Sequence, residues 1–133
     1  MKVLVIGAAG MIGKKLVHRL LDERSPVHPL SELILYDIIA AEKPSTSIPI
    51  KIFSGDISQT DQTDLLASVK PTIIYHLASI VSGEAEEKFN KGWNTNTHGT
   101  WHLLEKLREF SETSQGEYRP KIIFTSSIAV FGS

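Results

Sequence analysis

Gly7, Gly10 and Gly13 stand three residues apart, where the apolar, β-branched run Lys2–Ile6 gives way to a helical pattern. Glycines at that spacing can receive a phosphate. Gly7 permits a tight turn, Gly10 has no Cβ to hold a phosphate away, and Gly13 lets the helix pack against the strand. Met11 and Ile12 fill the first helical turn, whose free N–H groups and positive dipole end suit an anion. Asp37 follows 24 residues after Gly13, near the ~20-residue offset of a ribose-binding carboxylate. A carboxylate there accepts hydrogen bonds from both adenosine ribose hydroxyls and repels a 2′-phosphate. The combination predicts a dinucleotide site fitted to NAD over NADP. The competing reading of Asp37 is a strand-end residue that caps a turn.

Two further groups invite chemistry. Ser127 lies just past an apolar run at residues 121–125, at what would be the carboxyl edge of a sheet, where open α/β folds bind ligands. Its alternative role is a hydroxyl that caps the next turn. His98 and His102 are four apart, as zinc pairs often are, but no third ligand is placed nearby and no metal site is expected. Composition narrows the field. The chain has 133 residues, 14 Lys and Arg against 15 Asp and Glu, and no cysteine. Disulfides, thiolate metal sites and cysteine nucleophiles are excluded, and the charge balance argues against a nucleic-acid or membrane partner. Lys2 and the apolar run to residue 12 imitate a signal peptide, but the run ends in Lys14 and Lys15 with no small-residue cleavage site. A cytoplasmic protein is the expectation.

The elements that must position these residues alternate. Strands are predicted at Lys2–Ile6, 33–37, 50–53, 72–76 and 121–125, with helices at 10–22, 62–69 and 84–110. Such alternation implies a doubly wound parallel sheet with helices on both faces and right-handed crossovers. In the first helix Ile12, Leu16, Leu20 and Leu21 fall at helical spacing. On the long helix Phe89, Trp93, Asn96, Thr100, Leu103, Leu104 and Leu107 form one predicted apolar stripe, with Trp93 and the leucines as core. Asn96 on that stripe must find hydrogen-bond partners, and a structural amide bridging to a neighbouring strand is one way to do so.

The glycine pattern resembles that of the extended short-chain dehydrogenase/reductase family, which includes the NAD-dependent epimerases and dehydratases. The resemblance continues down the chain. Gly55-Asp56-Ile57 is similar to that family's GD(I/L) element, in which Asp56 and Ile57 would hold the adenine. His76-Leu77-Ala78-Ser79 resembles its HLAA segment, placing Leu77, Ala78 and Ser79 on the nicotinamide ribose side. Asn96-Thr97-His98-Gly99-Thr100 matches the NxxGT helix motif, and 125–132 is similar to SSxxVYG with Phe131 in place of the usual tyrosine. Residues 80–86 also look like the branch of sugar-acid dehydrogenases typified by D-erythronate dehydrogenase.

The resemblance implies a Rossmann fold across residues 1–133, truncated after about five strands, with NAD as cofactor. It implies a sugar, nucleotide sugar or sugar acid as substrate and a homodimer in the full-length form. Ser127 would be the catalytic serine that orients the substrate oxygen, and Asn96 would support the cofactor side. The family's engine also needs Tyr-x-x-x-Lys. Four residues after Tyr36, Tyr75 and Tyr118 come Ala40, Ser79 and Ile122, none of them lysine. The expectation is therefore the NAD-binding part of a longer enzyme, inactive by itself. The alternative is a non-catalytic protein that keeps the nucleotide site.

Overall fold

The computed structural model describes residues 1–80 and 86–131. Five strands, β1 (Lys2–Ile6), β2 (Glu32–Asp37), β3 (Ile50–Ser54), β4 (Ile73–His76) and β5 (Lys121–Phe124), form one sheet in the order β3-β2-β1-β4-β5. All neighbours run parallel, with Val3 opposite Leu33 and Ile73, and Ile6 opposite Tyr36 and His76. The doubly wound parallel sheet read from the alternation is the fold.

β1 is central because its residues are apolar on both sides. Val3 and Val5 join Val17, Leu20, Leu33 and Leu35 beneath α1 (Met11–Leu20). Leu4 and Ile6 face the other way, onto Leu66 and Ala67 of α2 (Thr60–Ser68) and Leu103 and Leu107 of α4 (Thr100–Thr113). Two buried faces are the reason these strands read as continuous apolar runs. After β3 the chain crosses back to the far side of β1, so strand order reverses between β1 and β4. A crevice at the carboxyl ends of two such strands is where ligands bind in this class of sheet.

Two expectations about helix faces need correcting. The predicted helix over 84–110 begins at residues outside those described, and the described part is interrupted. α3 (Phe89–Trp93) passes into a π-helical turn (Asn94–Gly99) before α4, which runs on to Thr113. A π-turn inserts an extra residue per turn and shifts the phase of everything beyond it. Leu103 and Leu107 are buried, but Phe89 and Leu104 are exposed, and Trp93 is 53% exposed and not core. On α1 the buried row is Gly13, Val17 and Leu20, so Ile12 is 55% exposed instead of sharing the inward face with them. Among the described residues no helix is long and apolar enough to cross a membrane.

Candidate cofactor cleft

The turn after β1 hangs from β2, because the Gly7 and Ala8 N–H groups both donate to the Tyr36 carbonyl, at 2.8 and 3.1 Å. Gly7 has φ +90°, and a Cβ there would lie 2.8 Å from the Ala78 nitrogen. Only glycine satisfies both conditions. Gly13 is held for closeness alone: its Cβ would fall 2.1 Å from the Gly7 carbonyl oxygen. Gly10 differs from both. Its backbone is ordinary and extended, and an added Cβ would meet nothing nearer than the Gly7 carbonyl at 3.4 Å. What Gly10 provides is open space at the start of α1. No side chain caps that helix and its first turn holds no acid, so its first N–H groups are left for a ligand.

Asp37 ends β2 beside this turn. One carboxylate oxygen accepts the Ala9 N–H at 2.8 Å and the other accepts the Ile38 N–H at 2.7 Å. It does brace a turn, and each oxygen retains a lone pair for a further donor. From β3, Gly55 donates its N–H to the Asp37 carbonyl at 3.0 Å, and Asp56 accepts the Ser58 N–H at 2.9 Å to steer the chain into α2. From β4, the Leu77 N–H is held by the Ile6 carbonyl at 2.8 Å.

These elements enclose a cleft of about 370 Å³, within the usual size of a small-molecule site. Of the residues read from sequence, Gly7, Gly10, Asp37, Asp56, Ile57, Leu77, Ala78 and Ser79 line it together. Gly13 sits behind it as a packing residue, while Met11 and Ile12 lie on the exposed side of the first turn of α1. Asn96 forms a clasp behind the wall: its side-chain oxygen accepts the Ile80 N–H at 2.7 Å and its Nδ2 donates to the Ile80 carbonyl at 2.8 Å. It is the satisfied structural amide. Ser127 is exposed past β5, outside the lining set, and opens a short 3₁₀ turn (Ile128–Phe131) in which the Val130 N–H meets its carbonyl.

Residues of this chain fit a dinucleotide by that geometry: space and uncapped N–H groups for phosphates, and a carboxylate at the ribose position. A match to the model of the "NAD dependent epimerase/dehydratase family" covers residues 3–133. The chain belongs to that family. Its cofactor is NAD. D-erythronate dehydrogenase from Cupriavidus necator is 31% identical, over 99% of this chain and 40% of its own length. UDP-glucose 4-epimerase from Mycolicibacterium smegmatis is 39% identical over 81% of this chain and 35% of its own. The chain thus spans about 40% of the curated relatives it matches. The crystal structure of a nucleoside-diphosphate-sugar epimerase from Agrobacterium tumefaciens superposes with a TM-score of 0.93, at 40% identity, covering all of this chain and 39% of that one. Thermus thermophilus UDP-glucose 4-epimerase in complex with NAD superposes at a TM-score of 0.64 and 27% identity, over 84% of this chain and 35% of its own.

Reading the epimerase/dehydratase pattern off the sequence misses Lys91 and Thr95, which also line the cleft. They are four residues apart, at helical spacing, which is the sequence signal for them. Gly99, the glycine of the NxxGT motif, has a packing role. A Cβ there would come 2.5 Å from the Ile57 carbonyl, so this glycine lets α4 approach the loop after β3. Two of the tyrosine hydroxyls serve the fold. Tyr36 donates to Gln62 Oε1 at 3.3 Å, and Tyr118, pushed up to about 12 by burial, donates to the Pro71 carbonyl at 2.9 Å. Of the loop 80–86 that resembles sugar-acid dehydrogenases in sequence, 81–85 lie outside the described residues.

Proposed function

We propose that these residues form the cofactor-holding part of an NAD-dependent oxidoreductase or epimerase acting on a sugar, nucleotide sugar or sugar acid, with a D-erythronate-like dehydrogenase as the specific candidate. The observation that carries it is the convergence of the glycine turn, Asp37, Asp56-Ile57 and Leu77-Ala78-Ser79 on one cleft at the strand-order reversal. In this reading the first turn of α1 and Gly10 receive the pyrophosphate, and Asp37 takes the adenosine ribose hydroxyls. Asp56 and Ile57 flank the adenine, and Leu77 to Ile80 border the nicotinamide half. NAD, when bound, supplies the hydride acceptor. Ser127 orients the substrate oxygen from the carboxyl edge of β5. The likeness to D-erythronate dehydrogenase over 99% of the chain supports the acid substrate, and the likeness to UDP-glucose 4-epimerase supports the broader class. Calorimetric titration tests the cofactor assignment: NAD(H) should bind better than NADP(H), and Asp37→Ala should lose much of that preference. Equal or tighter NADP(H) binding to the unmutated chain would overturn it.

A further inference from the structure

At the junction of β4, β5 and α4 lies a buried imidazole that the reading above leaves without a role. His76 ends β4 at 2% exposure, with the Phe124 ring edge-on at 5.4 Å. Its Nε2 lies 3.2 Å from Thr100 Oγ1, at the start of α4, and its Nδ1 has no partner among the described residues. Thr100 Oγ1 donates to the Asn96 carbonyl at 3.0 Å. A hydroxyl has one proton. With that proton on Asn96, the Thr100 oxygen can only accept from His76, so the imidazole carries its proton on Nε2. The other tautomer would bury an unpaired N–H, the costlier arrangement.

We infer that His76 and Thr100 are positioning residues that set the π-turn holding Asn96, and through the Asn96–Ile80 clasp shape the wall of the cleft. The linkage is continuous: His76 Nε2–H to Thr100 Oγ1, the Thr100 hydroxyl to the Asn96 carbonyl, and the Asn96 amide to both backbone groups of Ile80. A π-turn widens the helix and disturbs its carbonyl ladder. The Thr100 hydroxyl donates to the Asn96 carbonyl inside that turn while its oxygen meets His76 Nε2, which ties the turn to the end of β4. Ile80 lines the cleft, so the register of the turn reaches the ligand. Burial suits His76 to this work, because it pushes the imidazole pKa down to about 4 and keeps the ring neutral at physiological pH.

The inference rests on the nicotinamide half lying against Ile80, and its test separates the two. NAD and AMP are titrated against the full chain and its variants, with the Asn96 side-chain amide followed by NMR. Thr100→Val keeps the shape and removes the hydroxyl. It should weaken NAD by tenfold or more, leave AMP within twofold, and shift the Asn96 amide resonances. Thr100→Ser should restore both readings to within threefold. Among His76 variants, Gln carries an amide nitrogen where Nε2 stood and should hold NAD better than Asn, whose amide reaches only the Nδ1 position. NAD and AMP falling together would overturn the inference, as would Thr100→Val with parental NAD affinity and unmoved Asn96 resonances. If the parent chain binds no NAD, the cofactor reading fails, and unmoved Asn96 resonances in Thr100→Val still overturn the relay.

Discussion

Gly10 and Gly13 predict opposite phenotypes from the same added methyl group. In Gly13→Ala the Cβ would sit 2.1 Å from the Gly7 carbonyl oxygen and 2.8 Å from Ala8 Cα, all backbone that cannot rotate aside. α1 must retreat by about 1 Å, and overpacking of this kind costs about 3 kcal/mol at its upper range. Replacing a helical glycine by alanine returns about 1 kcal/mol. The net loss is about 2 kcal/mol, or a fall in Tm of about 8 °C for a domain of this size. Gly10→Ala meets only one atom, at ordinary contact distance. Its stability should stay within about 0.5 kcal/mol of the parent. The methyl would instead occupy the space assigned to a phosphate, and NAD affinity should fall at least tenfold, about 1.4 kcal/mol. Thermal melts and NAD titrations on both variants decide the matter. A Gly10→Ala chain that binds NAD like the parent, or a Gly13→Ala chain that melts with it, would refute the reasoning.

Three further outcomes are expected. His76 has its folded pKa depressed to about 4 from an ordinary 6.5, so the unfolded chain binds the proton more tightly. Its contribution to stability is full above pH 6.5 and is lost as pH falls towards 4, by about 3 kcal/mol. Urea unfolding should show a flatter acid limb in His76→Gln, and an unchanged limb would contradict the burial of the imidazole. Highly purified 133-residue chain should transfer no hydride with sugar or sugar-acid substrates, since no Tyr-x-x-x-Lys is present to handle the proton; sustained NADH production would refute this. Among the described residues β5 borders only β4 and leaves Ile122 and Phe124 exposed, with Val130 and Phe131 beyond. An apolar edge of this kind favours association, so light scattering should show concentration-dependent self-association that Ile122→Lys reduces, and a monodisperse parent would count against it.

Much of the site is legible because local spacing and element type carry it. Gly7, Gly10 and Asp37 need only a strand, a turn and the next strand, and the β-branched runs declare those elements. Gly13 is legible too, because a glycine early in the first helix of a βα turn signals close packing of helix on strand. The helix from Phe89 to Thr113 was not legible in the same way, because hydrophobic periodicity assumes a constant 3.6 residues per turn. The π-turn at Asn94–Gly99 breaks that assumption, so Phe89 and Trp93 lose the face that Leu103 and Leu107 keep. Thr95 reaches the cleft from within that turn, and Lys91 from α3 just before it. The His76–Thr100 contact joins residues 24 apart in different elements, and only tertiary packing brings them together.

Gly7 presses against Ala78, and Leu77 donates to Ile6, so the cleft joins two segments separated by both β2 and β3 in the chain. A partly folded molecule with β4 undocked has half a site and no means of gripping a dinucleotide along its length. Ligand is then a linkage partner of the assembled sheet alone. At a hundredfold excess over Kd it should add about 2.7 kcal/mol to unfolding, with a melting point that climbs with each further tenfold of NAD. Amide exchange at Leu77 should slow in step with that climb, making one backbone N–H a gauge of occupancy for the whole cleft.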